Sequence, residues 1–317
     1  MGFEALLGNE RLKENLTGSL RKGHISHFYL ITGPEGSGKH TLAGLLAAAI
    51  LCQAEEKPCL TCRECRRVLA NSHPDFITVD DPEKKTVTVD QVRQARADIY
   101  VMPNESAYKI YLFPRAQDMG LPGQNALLKV LEEPPSYGVF LLLTDNPEKL
   151  LPTVRSRCTE LRMEPLPERV LLGQLERDFP QSQPEDRKAA AARSGGYLGQ
   201  AAALLKDGGE LPPQTQAFLE AYGRKNALGL LQVLVPMEKT KREELGRILA
   251  QWLELLEEAL ACRGGIRAVS AQVRQVAAAR TGAELHRGIQ SLKKALDYTN
   301  SNVSPAAVCG YLEWALR

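Results

Sequence analysis

The chain has almost no excess of either charge: 40 Lys and Arg against 38 Asp and Glu leave +2 over 317 residues. Such a balance provides no broad electrostatic footprint for tight, autonomous nucleic-acid binding, so any DNA contact is expected to be local or shared. Apolar runs are short as well, and none reaches the roughly 18 residues that a membrane helix requires. No charged-then-apolar leader opens the sequence, which therefore reads as cytoplasmic with no membrane partner. Internal repeats are missing, and low complexity is confined to the alanine run 189–192, a good helix former. A hydrophobic content of 44% and a charged content of 25% are ordinary for globular proteins. That excludes a disordered adaptor and leaves room for two or three domains.

What is present falls into two halves. From Phe3 to about Met163, short β-rich runs at 27–32, 76–79, 110–113 and 139–144 alternate with helical stretches. One helix starts at a glycine-rich loop and carries Leu42, Leu45 and Leu46, one covers 89–100, and one covers 124–132 before Pro134 and Pro135 stop it. This alternation predicts an α/β layer fold with a mainly parallel sheet. Beyond Pro165 strand signals cease. Two or three short helices are expected over 167–205, with a turn at Ser194-Gly195-Gly196, then a Gly/Pro-rich linker at 207–213. In the last hundred residues Leu245, Ile248, Leu249, Trp252, Leu255, Leu256 and Leu260 recur at three- and four-residue spacing, the mark of a long amphipathic helix in a bundle.

Two segments carry chemistry. Gly33-Pro34-Glu35-Gly36-Ser37-Gly38-Lys39 follows a strand and opens a helix, the context in which glycines let backbone N–H groups converge on a polyphosphate and Lys39 adds a point charge. The residue after the lysine is His40 rather than a hydroxyl. Thr41 is displaced by one position, turned about 100° around the helix, so magnesium would be poorly held. Hydrolysis also needs carboxylates at neighbouring strand ends, and Asp80, Asp81 and Asp145 are the candidates. The loop leaves both ATP or ADP binding and a ligand-free glycine turn open.

The second segment holds four of the seven cysteines, Cys52, Cys59, Cys62 and Cys65. Clustered thiols in a reducing compartment point to a metal rather than to disulfides. Four thiolates close a tetrahedron around Zn²⁺ with no open position, a structural site, and an iron–sulfur cluster is the alternative. Cys158, Cys262 and Cys309 sit singly and read as packing residues, His73 reads as a loop residue, and Arg63, Arg66, Arg67, Lys84 and Lys85 read as a solvated basic face.

Four stretches share an order with a known family: the cysteine quartet behind the phosphate loop, His73-Pro74-Asp75, 125–135 (Asn-Ala-Leu-Leu-Lys-Val-Leu-Glu-Glu-Pro-Pro), and 146–158, which ends in Ser156-Arg157-Cys158. In that order the chain resembles clamp-loader subunits of the AAA+ superfamily, those of the bacterial DNA polymerase III in particular. The resemblance implies α/β then all-α architecture: a RecA-like AAA+ domain at 1–163 with a zinc module at about 52–75, a small helical lid domain at 164–207 and a C-terminal helical collar domain at 208–317. It places the strand-end acids at Pro114 and Arg115 and a sensing arginine near Gly199, so the machinery for hydrolysis is missing. Gly33, Gly36, Gly38, Lys39 and Thr41 are then a degenerate nucleotide loop. Arg157 becomes an arginine finger acting in trans on a neighbour's nucleotide, with Arg155 the lesser candidate. The profile is that of a non-hydrolysing stator rather than the gamma/tau motor. Implied partners are the gamma/tau and delta subunits, the beta sliding clamp and primed-template DNA. An active ATPase using Asp80 or Asp145 for magnesium is the rival reading.

Overall fold

The structure, a computed structural model, describes residues 2–81, 86–206, 211–265, 270–301 and 303–316. Lys84, Lys85 and residues 207–210 of the expected linker lie outside the described residues. Strands β1 (Phe28–Thr32), β3 (Lys109–Phe113) and β4 (Gly138–Thr144) are buried at every position, and β2 (Phe76–Thr78) is partly buried. Continuous burial of this kind belongs to strands covered on both faces. All pairings are parallel, and the order is β2-β3-β4-β1-β5, with β5 (Thr159–Arg162) on one edge. Only Leu161 of β5 is buried, so the strand has no apolar run to announce it in the sequence.

Alternate side chains of the strands feed two cores. On one face Tyr29, Ile31, Ile110, Leu112, Leu141 and Leu143 meet α2 (Lys39–Leu51), with α1 (Glu10–Arg21) and α3 (Arg63–Leu69) around it. On the other, Phe28 stacks on Phe140 at 4.6 Å and Tyr111 lies 5.4 Å from the same ring, packed with Val92 and Ala95 of α4 (Val89–Asp98) and Leu127 and Val130 of α5 (Leu121–Glu132). α2 is apolar all round because it is sandwiched. Its first residue follows β1 at the carboxyl end of the central strands, where ligands bind in open parallel sheets. Thus the expected α/β half is present, with α1, α3 and β5 added to the predicted elements.

The remaining helices are α6 (Pro152–Arg155), α7 (Glu168–Asp178), α8 (Pro184–Arg193), α9 (Leu198–Lys206), α10 (Pro213–Gly223), α11 (Ala227–Met237), α12 (Arg242–Arg263), α13 (Ala271–Ala279), α14 (Gly282–Asn300) and α15 (Pro305–Ala315). By its internal contacts the chain divides into two compact units, Met1–Gln174 with Ser194–Gln200, and Leu175–Arg193 with Ala201–Arg317. In the second unit the expected amphipathic helix is α12, which buries Leu245, Leu249, Trp252, Leu255 and Leu256. Trp252 stacks flat on Phe218 of α10, with ring centroids 3.9 Å apart, and its Nε1 donates to Thr215 Oγ1 at 3.2 Å. Among the described residues no helix is long and apolar enough to cross a membrane.

Because the indole is fully enclosed, Trp252→Ala leaves a cavity and removes one hydrogen bond from Thr215 Oγ1, which keeps its bond to Gln251 Oε1 at 3.1 Å. A loss of about 3–5 kcal/mol is expected for the second unit, read as a lowered urea midpoint of the helical circular-dichroism signal.

Candidate functional site

The phosphate loop is closed on itself. Gly36 and Gly38 take left-handed φ values of 74° and 91°, as a loop that turns its amides inward requires. Lys39, however, is buried and donates to its own loop's carbonyls, Gly33 O at 2.5 Å and Pro34 O at 2.8 Å. Burial lowers the Lys39 pKa, with Asp145 and Glu35 opposing. Gly199, at the start of α9, donates its amide to Gly36 O at 2.9 Å, and Gln200 Nε2 donates to Glu35 O at 3.0 Å. A Cβ on Gly199 would stand 2.5 Å from Gly36 Cα. The position where an arginine was expected to be absent thus carries the one residue type that lets two backbones touch. Thr41 is exposed on α2. The His40 imidazole is held below its ordinary pKa by partial desolvation and by Lys39, with Asp80 opposing.

At the end of β3 the chain continues into Pro114 and Arg115. The Arg115 fork grips Asp80, with Nη2 at 2.5 Å and Nε at 3.1 Å from the same Oδ1, and Nη2 also reaches Asp81 O at 3.0 Å. Asp80 raises the arginine's pKa further, against a smaller desolvation cost. One of the three candidate carboxylates, Asp80, is therefore already paired with a cation at the strand end. Asp145, which follows β4, is exposed.

Arg157 stands at the opposite extreme. The short helix α6 starts at Pro152 and ends in tight turns, Arg157 N to Val154 O and Cys158 N to Arg155 O. Cys158 turns inward, its Sγ 3.2 Å from Val154 O, and burial pushes its thiol up to about 12. The neighbouring Arg157 turns outward, 40% exposed, with Nη1 on Thr153 O at 3.0 Å and Nη2 3.4 Å from Glu132 Oε1. An exposed pair of that length contributes about 0–1 kcal/mol. Arg155 pairs with Glu148 at 2.9 Å. The base of this segment is stapled by Gln124, a buried α5 side chain that donates to Met119 O and Lys149 O and accepts from Leu151 N at 2.7 Å. Sequence reasoning missed Gln124, since a glutamine on a helix face has no spacing signature.

The four expected cysteines converge: the Sγ atoms of Cys52, Cys59, Cys62 and Cys65 all lie within 4.8 Å of one another. Cys59 and Cys65 are 4.0 Å apart, as are Cys52 and Cys62. A tetrahedron with metal–sulfur bonds of about 2.3 Å has edges of about 3.8 Å, so the donors fit a thiolate-bound ion. Backbone amides already point at sulfur, Cys62 N to Cys59 Sγ at 3.3 Å and Cys65 N to Cys62 Sγ at 3.4 Å. Amide donors, chiefly Cys62 N, pull the Cys59 thiol down to about 6, while burial pushes Cys52 and Cys65 up. His73 is not in the cluster; it is buried nearby with its Nε2 2.7 Å from Glu64 Oε2. Arg63 and Arg67 of the expected basic face pair with Glu105 at 3.4 and 2.5 Å.

Residues 8–167 match the protein family described as DNA polymerase III, delta subunit. The DNA polymerase III subunit delta' of Pseudomonas aeruginosa PAO1 is 38% identical over 175 residues, 54% of this chain and 53% of that protein. The subunit delta' of Bacillus subtilis strain 168 is 35% identical over 157 residues, 49% of this chain and 47% of that protein. The subunit tau of the same Bacillus strain is 31% identical over 201 residues, 61% of this chain but 35% of that protein. The chain spans between about a third and about half the length of the curated relatives it matches.

Backbone contact at Gly199 separates two glycine substitutions. Gly199→Ala forces its Cβ into Gly36 and is expected to cost about 1–3 kcal/mol, whereas Gly18→Ala in α1, with nothing within 4 Å, should stabilise by about 0.5–1 kcal/mol. Thermal unfolding of the two variants measures both signs.

Proposed function

Because the chain belongs to the DNA polymerase III, delta subunit family, we propose that it works as a delta-prime-type clamp-loader subunit, a stator that lends Arg157 to a neighbour's ATP. The observation that carries this reading is the Arg115–Asp80 pair at the place of the strand-end acids. It puts positive charge where magnesium would have to sit, and it supports a cleft that performs no hydrolysis of its own. The self-satisfied Lys39 and the Gly36–Gly199 contact support the same view, with Gly33, Gly36, Gly38, Lys39 and Thr41 a vestigial loop for ATP or ADP.

Arg157 acts through its exposure. A guanidinium on a rigid turn, held by the Thr153 carbonyl and a weak surface pair, can leave Glu132 for a γ-phosphate held across a subunit boundary. An arginine supplied in trans contributes about three to five orders of magnitude in rate, because it meets charge that develops in the transition state. The partners in this reading are gamma/tau and delta subunits, the beta sliding clamp and, through the assembly, primed-template DNA in the cytoplasm. The AAA+ domain is 1–163, the lid 164–207 and the collar 208–317. Cys52, Cys59, Cys62 and Cys65 hold a structural Zn²⁺ whose role is to stabilise a lobe with little core of its own.

In a reconstituted clamp loader, Arg157→Ala should leave assembly intact while clamp- and DNA-stimulated ATP turnover falls at least about 100-fold; unchanged turnover would end the trans role. The isolated chain is expected to show no ATP hydrolysis, and turnover abolished by Lys39→Ala would favour a gamma/tau-like motor instead, with Asp145 as its remaining carboxylate.

Metal analysis of the purified chain should find one zinc per molecule, lost in Cys65→Ser. Protons compete for the thiolates, so retention should fall as the pH is lowered.

A further inference from the structure

The zinc lobe is wired to a loop that no part of the proposed mechanism uses. Residues 99–106 connect α4 to the approach of β3 and expose three adjacent apolar side chains, Tyr100 at 55%, Val101 at 59% and Met102 at 68%. An exposed apolar triplet on a slack loop would collapse onto the protein surface. Here the backbone is held from both ends by buried charge. Lys109, buried at the start of β3, places Nζ 2.8 Å from Asp98 Oδ2, 2.9 Å from Asp98 O and 3.4 Å from Val101 O. Tyr137 Oη donates to Tyr100 O at 3.0 Å. At the other end the fully buried Asp75 carboxylate accepts from Asn104 N, Asn104 Nδ2, Glu105 N and Ser106 N at 2.6 to 3.0 Å. Burial alone would raise the Asp75 pKa, but these donors outweigh it and hold the carboxyl below its usual range.

Two struts join this frame to α3, the helix that bears Cys65. The first runs from Glu64 through His73. His73 Nδ1 accepts the Asp75 amide at 3.0 Å, so the ring proton of the neutral imidazole sits on Nε2, 2.7 Å from Glu64 Oε2 and 3.2 Å from Ser106 Oγ. The second runs from Arg63 and Arg67 to Glu105. The helix is only seven residues long and is capped by the sulfur of Cys62, which accepts from Cys65 N. So short a helix does not hold itself. Whatever fixes the four sulfurs fixes α3, and α3 carries Glu64, Arg63 and Arg67.

We infer that the metal in the four-cysteine lobe sets the geometry of loop 99–106, so that occupancy of the site decides whether Tyr100, Val101 and Met102 are presented in one fixed arrangement. This rests on the metal reading of the thiols and goes beyond local stabilisation. The coupling runs through neutral and charged hydrogen bonds that are largely shielded from solvent at His73 and Asp75.

The test is amide hydrogen exchange by mass spectrometry on the full chain, following peptides that cover 99–108 and, as a control, β4. The zinc-loaded wild type is compared with the chelated wild type and with the zinc-loaded double variant Glu64→Ala, Glu105→Ala, which cuts both struts while leaving every sulfur in place. Exchange in the loop is expected to rise about tenfold or more in both, with β4 unchanged and the metal count of the variant still one per chain. Should chelation unfold the whole chain, the loaded variant decides by itself. Unchanged loop exchange in the variant, or in a chelated chain that stays folded, would overturn the coupling. A chain that never takes up a metal would remove the metal reading, and the coupling with it, a failure distinguished from the first by the metal count.

Discussion

The pairing of Arg115 with Asp80 sets the chemistry of the whole cleft. A parallel sheet gathers its strand ends on one side, and a phosphate loop after the interior strand β1 brings backbone amides to that place. The difference between a motor and a bystander then lies in the sign of the charge opposite the loop. A guanidinium is clamped on the Asp80 carboxylate, and the same carboxylate acts on the His40 imidazole next to Lys39. Lys39 responds by bonding its own loop, and α9 lays its first turn on Gly36. The lysine and the Gly36 carbonyl are thereby satisfied within the chain itself.

The same sheet treats its two arginines in opposite ways. Arg115 is fixed in a fork against carboxylate and carbonyl, while Arg157 is carried on a turn whose neighbours do the anchoring. Cys158 packs against the core, Gln124 pins the preceding segment, and the arginine lies between solvent and turn on Thr153 O and Glu132. In the four-cysteine lobe the sulfurs converge around a seven-residue helix, and that helix carries the Glu64 and Arg67 side chains that pair with His73 and Glu105.

Much of this was legible in the residues. The strands 27–32, 110–113 and 139–144 were apolar enough to be read directly, and the heptad-like spacing of α12 was equally plain. β5 escaped notice because Thr159, Glu160 and Arg162 are polar, as an edge strand with one buried residue permits. α3 escaped because it has one turn beyond its cysteines and no apolar stripe. Gln124, Asp75 and Lys109 escaped for a different reason. Their importance comes from burial with satisfied hydrogen bonds, and a polar residue in a sequence says nothing about either.

The sequence by itself determined which residue types are available: four clustered thiols, a lysine at the end of a glycine loop, an arginine where acids would stand, and a second arginine beside a cysteine. These are local facts of order and spacing, and local order survives without knowledge of the fold. Only the tertiary structure decided that Arg115 meets Asp80 from 35 positions away, that Gly199 rests on Gly36, and that Glu64 reaches Ser106 through His73. Those pairings depend on how strands and helices pack, because charge and hydrogen bonding act over a few ångströms, and chain separation does not report distance in space.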